Sequence, residues 1–239
     1  GYTLLVSHAS VHVYAAATRA TMPFDPIGDF THMVQLVEAP NIILVRANSP
    51  LQTLDQLVTA ARTRPIRFGS SGIGSAPHLL GAMLSAEARA PNLDHIPYAG
   101  SAPAMQDLLA GNIECMVDPI TTNVQQMRDG SLRALAVSSP QRLPAFPNVP
   151  TFAELGYPKL TSAQWLGLSA PKGLPAPITE RLTALAPQIL ARPELMARFT
   201  DIQTVPRNPP PTGAAFVQIM REEITAWTAV ARQFNITVS

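Results

Sequence analysis

The chain has 239 residues, 46% of them hydrophobic, which is enough to bury one large core or two smaller ones. Charged residues make up only 14% and the formal net charge is +1, which excludes the basic surface typical of nucleic-acid-binding proteins. No run approaches the roughly 20 consecutive apolar residues that span a bilayer. We therefore expect a globular protein with no nucleic-acid partner and no direct membrane insertion.

Strand and helix patterns alternate four times from Ser49 to Val137, and the alternation predicts an α/β protein with a largely parallel sheet covered by helices on both faces. A proline-rich stretch at 140–158 predicts an ordered surface connection, with one short helix at 151–154 ended by Gly156. Strands are predicted at 2–7, 33–37, 41–45, 66–68, 96–98, 113–117, 132–137 and 164–169, and helices after Thr53, Ser75 and Ser101 and at 121–128, 178–191, 194–200 and 212–234.

The sequence GSSGIGS at 69–75 joins a predicted strand to a predicted helix. Backbone N–H groups and the positive end of the helix converge there, so the loop predicts an anion site built from Ser70, Ser71, Gly74 and Ser75. Gly69 and Gly74 have the spacing of a phosphate-binding loop, but Ser75 stands where that motif needs lysine. The stretch also fails the G-x-S-x-G pattern at its last position. No nucleotide or other cofactor is expected.

Two further strand-to-helix junctions repeat this design, at 97–101 and 118–122. The carboxyl ends of parallel strands share one edge of a sheet, so these junctions and the 69–75 loop are expected to line one crevice. Their candidate ligand-binding residues are Tyr98, Gly100, Ser101, Asp118 and Thr121. Ser101 is also the predicted N-cap of its helix. Asp118 has two readings of equal weight, as a ligand for an amino or hydroxyl group and as an acceptor for nearby backbone N–H groups.

The histidines and the cysteine raise the question of catalysis. His8 and His12 are four residues apart, but no carboxylate nearby completes a metal site, and none is predicted. His78 either acts as a base toward Ser70 or Ser71 or fixes the loop by donating to a backbone carbonyl; no third residue of a triad is visible, which favours the structural role. Cys115 lies in an apolar run typical of a buried side chain. No catalytic residue is predicted, so the chain is not expected to be an enzyme.

Short motifs in a fixed order cover most of the chain. They are GYTLL at 1–5, PFDP at 23–26 with DF at 29–30, FGSSGIGS at 68–75 with HL at 78–79, IPYAGS at 96–101, DLLAGN at 107–112, GSLRALAV at 130–137 and PNVPTFAELG at 147–156. In these motifs the chain resembles the tripartite tricarboxylate transporter receptors, also called Bug or TctC-like solute-binding proteins.

The resemblance implies a two-lobed periplasmic-binding-protein architecture of the Venus flytrap type II class. Residues 1–45 and 166–239 are then expected to form one lobe and 46–165 the other, with Ser7, His8 and Ser10 facing the loops of the second lobe. It also implies a periplasmic receptor that closes around a small carboxylate, which would be a di- or tricarboxylate, an acidic amino acid or an aromatic acid. The receptor would deliver this ligand to two membrane subunits of a secondary transporter.

The chain departs from the family pattern at two points. Family members carry a signal peptide and then a strand, a ligand-contacting glycine loop, a helix and a second strand before the segment matched by 1–5, so an N-terminal strand-helix unit and a secretory leader are expected to be missing from this sequence. The 96–101 junction often carries lysine where this chain has Ala99, which removes a charge contact. Two alternative functions are an effector-sensing module of a transcription regulator, preceded by a helix-turn-helix, and a serine hydrolase using Ser70 or Ser71 with His78.

Overall fold

The computed structural model describes residues 3–238 and divides the chain into two compact units. Unit 1 is formed by the described residues of Gly1–Ala39 and Gln164–Ser239, and unit 2 is Pro40–Ala163. The chain passes between the units twice, after Ala39 and after Ala163. The lobe boundaries expected from the sequence, at 45/46 and 165/166, both lie later in the chain.

Unit 2 is built on a mixed sheet. Its strands are the second half of β2 (Phe30–Arg46), β3 (Ile66–Ser70), β4 (Leu93–Pro97), β5 (Cys115–Pro119) and β6 (Leu132–Val137). β3 pairs in parallel with both β4 and β5, whereas β2 runs antiparallel to β5 and β6. The largely parallel sheet predicted from the sequence is therefore wrong at β2, since strand-helix alternation does not fix the direction of a strand that enters from another unit.

Helices connect these strands. They are α2 (Leu54–Thr63), α3 (Ala76–Glu87), α4 (Ser101–Ala110) and α5 (Val124–Arg128), the last preceded by a 3₁₀ turn at Ile120–Thr122; a second 3₁₀ turn lies at Pro158–Leu160. The Thr53 hydroxyl caps α2 by accepting the Gln56 N–H, at 3.2 Å. Thr151 and Glu154 also exchange capping hydrogen bonds, yet Thr151 forms an isolated bridge with Val137 and 152–156 forms only turns. The helix predicted there is wrong, because the capping pair is not followed by enough non-proline residues to extend it.

Unit 1 combines a smaller group of strands with most of the C-terminal helices. Its elements are β1 (Leu5–His8), a π-helical turn at Ser10–Tyr14, α1 (Ala15–Thr18), the first half of β2, β7 (Ala163–Pro171), α6 (Ala176–Leu190), α7 (Pro193–Asp201) and α8 (Gly213–Gln233). β7 pairs antiparallel with β1 and lies beside β2. The predicted strand at 2–7 corresponds to β1, and its residue 2 lies outside the described residues. None of the helices in residues 3–238 combines the length and apolarity needed to cross a membrane.

β2 is one continuous strand, whereas the sequence predicts two strands separated at Ala39 and Pro40. Proline cannot donate a ladder hydrogen bond, which is why the sequence pattern reads as a break. In the structure the strand continues through Pro40, and the chain passes from unit 1 to unit 2 at this point.

The two faces of the unit 2 sheet bury separate cores. Side chains alternate across a strand, so Ile43, Cys115 and Val117 join one cluster, whereas Ile42 and Met116 join the other. Cys115 is fully buried, which confirms the reading from its apolar neighbours, and burial raises the pKa of its thiol. The sheet is thus packed on both sides and holds the loops at its ends in fixed positions.

Gly81 marks the closest approach of α3 to the sheet. A Cβ atom at this position would lie 2.3 Å from the Phe68 ring. Gly81→Ala should lower the free energy of unfolding, because overpacking costs about 1–3 kcal/mol and outweighs the roughly 1 kcal/mol by which alanine favours a helix over glycine. Urea denaturation of the two proteins measures the difference. A variant more stable than wild type would show that helix propensity decides at this site.

Candidate functional site

The carboxyl ends of β3, β4 and β5 bring three loops of unit 2 together. The Tyr98 N–H after β4 donates to the Ser70 carbonyl at the end of β3, at 3.1 Å. The Ser101 hydroxyl, on the first residue of α4, donates to Asp118 Oδ1 in β5, at 2.7 Å. The common edge expected for the 69–75, 97–101 and 118–122 junctions therefore exists within unit 2.

Two of the predicted serines hold the glycine-serine loop itself. Ser70 is fully buried, and its Oγ lies 2.6 Å from His95 Nε2 and accepts the Gly72 N–H at 3.2 Å. The Ser75 hydroxyl donates to the Gly72 carbonyl at 2.7 Å and accepts the His78 N–H at the start of α3. The loop turns through Gly72 and Gly74, whose φ angles of 129° and 75° favour glycine.

Two other predicted hydroxyls remain available. Ser71 and Thr121 are half-buried, and within residues 3–238 neither hydroxyl has a protein hydrogen-bond partner. Ser71 follows β3 directly, and Thr121 lies in the 3₁₀ turn that follows β5. These are the side chains at the shared edge that are free to donate to a ligand.

The N-terminus of α4 is also open. Its N-cap is Gly100, with a φ of 120°, and no side chain caps the helix. The sequence predicts Ser101 as the cap, and this is wrong: Ser101 is the first helical residue and its hydroxyl is used by Asp118. The first backbone N–H groups of an α-helix have no intrahelical acceptor, so α4 presents unsatisfied donors and a positive helix end beside the glycine-serine loop.

Asp118 ties the 97–101 junction to the 118–122 junction. It is fully buried and accepts hydrogen bonds from Ser101, from Thr122 Oγ1 at 2.5 Å and from Asn123 Nδ2 at 2.8 Å. Burial raises the pKa of its carboxyl, against the opposing effect of these donors. Its partners within the described residues are thus side chains and not the backbone N–H groups that one of the two sequence readings expected, and a contact with a ligand stays a prediction. Sequence reasoning missed Thr122 and Asn123 as supports of the site.

Tyr98 stands as a wall between the 69–72 turn and α4. Its phenol donates to Asp107 Oδ2 at 2.7 Å, and Asp107 also accepts from Asn112 Nδ2 at 2.9 Å. Burial, followed by the bond to Asp107, raises the pKa of Tyr98 to about 12. The polar tip expected to contact a ligand is therefore engaged by α4, and the ring is left as an apolar surface.

A stacked histidine pair lies under the glycine-serine loop. The rings of His78 and His95 are 3.7 Å apart between centroids and nearly parallel, at 12°. The Gly74 N–H donates to His78 Nδ1 at 3.1 Å, so His78 accepts a backbone hydrogen bond instead of donating one or facing Ser70 as a base. Burial lowers the pKa of His78 to about 4; burial and then the neighbouring His78 lower the pKa of His95 to about 3. Both rings are neutral near pH 7.

The same contacts bear on the serine hydrolase alternative. The histidine beside Ser70 is His95, which the sequence analysis did not single out because its proximity depends on the register of β3 against β4. A nucleophile must reach its substrate, and the Ser70 side chain has no exposed surface. The Ser70, Gly72 and His95 contacts are those of a structural loop anchor.

The predicted site residues of unit 1 form hydrogen bonds within that unit. Ser7 is buried, with its hydroxyl 2.9 Å from that of Ser169. His8 Nδ1 accepts the Ser10 N–H at 3.0 Å, and the Ser10 hydroxyl donates to Gln164 Oε1 at 3.2 Å. Among residues 3–238, no group of three or more His, Cys, Asp or Glu side chains is placed to hold a metal ion.

Charge is nearly absent from the shared edge of unit 2. The three loops contain no lysine or arginine, and their one carboxylate, Asp118, is buried and satisfied. An anion bound there would be held by backbone N–H groups, by the uncapped N-terminus of α4 and by hydroxyls. This arrangement suits a carboxylate.

Protonation of the histidine pair should destabilise the fold. The unfolded chain takes up these protons near pH 6.5, whereas the folded pKa values are about 4 and about 3, so the contribution present above pH 6.5 is lost as pH falls toward 4. A His78→Gln, His95→Gln variant should lose less stability than wild type between pH 7 and pH 4.5 in urea denaturation. Equal losses in the two proteins would contradict this account. Other titrating groups, such as Glu223 with its raised pKa of about 7, are shared by both proteins and cancel in the comparison.

The comparisons with known proteins agree on one family. Residues 1–236 match the model of the tripartite tricarboxylate transporter family receptors. A UPF0065 protein from the tcbD-tcbE intergenic region of Pseudomonas sp. (strain P51) is 31% identical over all of this chain and 71% of its own length. Protein BugT of Bordetella pertussis is 30% identical over 98% of this chain and 72% of its own length.

Solved structures show the same relationship. Rpa4515 of R. palustris with adipate superimposes with a TM-score of 0.88 at 28% identity, over 99% of this chain and 79% of its own. MatC (Rpa3494) from Rhodopseudomonas palustris with bound malate gives a TM-score of 0.83 at 29% identity, over 95% of this chain and 78% of its own. This chain therefore belongs to the tripartite tricarboxylate transporter receptor family and has the mixed α/β fold of its periplasmic binding proteins.

Proposed function

We propose that this protein is a periplasmic receptor that captures a small carboxylate and delivers it to the two membrane subunits of a secondary transporter. The observation that carries the proposal is the uncapped N-terminus of α4 beside the glycine-serine loop, at the shared edge of three parallel strands. The adipate and malate bound by two related structures support the ligand class.

The chemistry of this edge favours a carboxylate held by neutral donors. The helix end at Gly100 supplies backbone N–H groups and a positive dipole, and the free hydroxyls of Ser71 and Thr121 add two donors. The Tyr98 ring offers an apolar surface next to them. Dicarboxylates, tricarboxylates, acidic amino acids and aromatic acids all present a carboxylate with a short body that fits this description.

We further propose that units 1 and 2 act as lobes that close around the ligand. A ligand favours closure only to the extent that it binds the closed form more tightly than the open form, so no bond making is required. The two chain crossings, after Ala39 and after Ala163, are the natural hinges. Export to the periplasm would depend on a signal peptide upstream of the segment matched by residues 1–5.

A thermal-shift screen tests the ligand class. A carboxylate at 100 times its dissociation constant should stabilise the native protein by about 2.7 kcal/mol and raise the unfolding midpoint by several degrees. The panel should contain malate, adipate, citrate, glutamate and benzoate, with matched uncharged amides or esters as controls. A midpoint that moves with the amides and not with the acids would overturn the carboxylate assignment.

Ala102→Asp tests the helix end directly. Ala102 is exposed in the first turn of α4. An aspartate there interacts favourably with the positive end of the helix but repels a bound carboxylate. We expect an unchanged or higher unfolding midpoint together with affinity at least about tenfold weaker, equivalent to roughly 1.4 kcal/mol, by calorimetric titration. Ala102→Asn, which has the same size without the charge, is the matched control and should bind nearly as wild type. Equal affinity of the aspartate variant and wild type would place the carboxylate elsewhere.

The free hydroxyls give a second test of the same site. Ser71→Ala and Thr121→Val remove donors that have no protein partner, so each should weaken carboxylate binding several-fold without lowering the unfolding midpoint. Thr59→Val, on the exposed face of α2, is the control. If the Ser71 and Thr121 variants both bind as tightly as the Thr59 variant, these hydroxyls do not contact the ligand.

A further inference from the structure

Unit 2 contains a cleft at the opposite end of its sheet from the glycine-serine loop. A cleft of about 640 Å³ lies between the start of α2, the first residues of β6 and the proline-rich connection. β2 runs antiparallel to β5 and ends at Arg46, so the start of α2 lies at the amino ends of the parallel strands. None of the residues lining the cleft belongs to the 69–75, 97–101 or 118–122 junctions.

Arg133 is the cation of this cleft. It is half-buried on β6, and its Nη1 atom is buried without a hydrogen-bond partner. Among residues 3–238, no side chain forms an ion pair with its guanidinium, and Asp55, the acidic residue that lines the cleft, is not paired with it. Nη1 is closed to solvent, so an anion in the cleft would bind the rest of the guanidinium; a half-buried charge without a counter-ion favours such an anion.

The remaining walls are largely apolar. Met127, Leu132 and Phe146 line the cleft together with Val149 and Leu155. Met127, Phe146 and Val149 pack against the buried cluster on one face of the unit 2 sheet, so these walls are anchored to the core. The cleft thus combines the Arg133 guanidinium and the Asp55 carboxylate with a fixed apolar surface, and its volume is in the range of small-molecule sites.

We propose that this cleft is a second binding site, for a small carboxylate with an apolar body, whose carboxylate pairs with the Arg133 guanidinium. Arginine and carboxylate form two parallel hydrogen bonds, which fixes the orientation of the anion as well as its charge. The apolar body lies against Phe146, Val149 and Leu155. This site does not depend on the carboxylate proposed for the glycine-serine loop.

The test uses benzoate as the probe and backbone amide chemical shifts as the readout. Wild-type protein titrated with benzoate should show shifts at 132–135 and 146–149. These shifts should persist in the Ala102→Asp variant, which weakens only the site at α4. Arg133→Met keeps the aliphatic stem and removes the charge, and should weaken binding in the cleft at least about tenfold. Arg64→Met, which removes an exposed charge of unit 2, should bind as wild type.

A stability measurement without ligand tests whether Arg133 has a hydrogen-bond partner inside the protein. Gln126 also has a buried side-chain oxygen without a partner, and a pair between Gln126 and Arg133 would satisfy both groups. If Arg133 is unpaired, Arg133→Met should unfold at the same temperature as wild type or higher. A lower midpoint, reproduced by Gln126→Ala and not additive in the double variant, would overturn the proposal. Benzoate shifts that vanish in Ala102→Asp and survive in Arg133→Met would overturn it as well, while leaving the receptor function intact.

Discussion

The parallel pairing of β3 with β4 and β5 is the constraint on which the site depends. It places three strand ends at one edge, and each end leads toward a helix or a 3₁₀ turn. The two buried clusters on the faces of the sheet fix these strands. A loop sequence as short as GSSGIGS acquires a defined shape only because it is held between such strand ends.

Most of the polar side chains at this edge are used to shape the loops and not to face a ligand. Ser70 and Ser75 bond within the glycine-serine loop, Ser101 bonds to Asp118, and the Tyr98 phenol bonds to Asp107. These contacts remove rotational freedom from the site before any ligand arrives, so less ordering free energy is lost on binding. The donors that remain are backbone N–H groups, together with the Ser71 and Thr121 hydroxyls.

The sequence predicts the strand-helix order, the glycine-serine loop and the meeting of three junctions, because each of these follows from periodicity and chain order. The sequence does not predict contacts that depend on how one strand is aligned against the next. His95 meets Ser70 only because β4 pairs with β3 in a particular alignment, and Asn123 reaches Asp118 only through the 3₁₀ turn between them. Gly100, and not Ser101, is the N-cap of α4. The Ser101 hydroxyl donates instead to Asp118, a contact between segments that local sequence does not predict.

The glycine-serine edge and the cleft between α2 and β6 differ in whether an anion would meet a charged side chain. The 69–75, 97–101 and 118–122 loops contain no lysine or arginine, so an anion at this edge meets dipoles and neutral donors of these loops. Dipolar donors do not titrate, so such a site retains its attraction for a carboxylate over the whole range in which His78 and His95 stay neutral. In the cleft between α2 and β6, by contrast, Arg133 carries a full charge beside largely apolar walls, and Asp55 also lines the cleft. A neutral donor set favours a ligand that must bind and then leave, because it attracts a carboxylate without the deep electrostatic minimum that a desolvated ion pair creates.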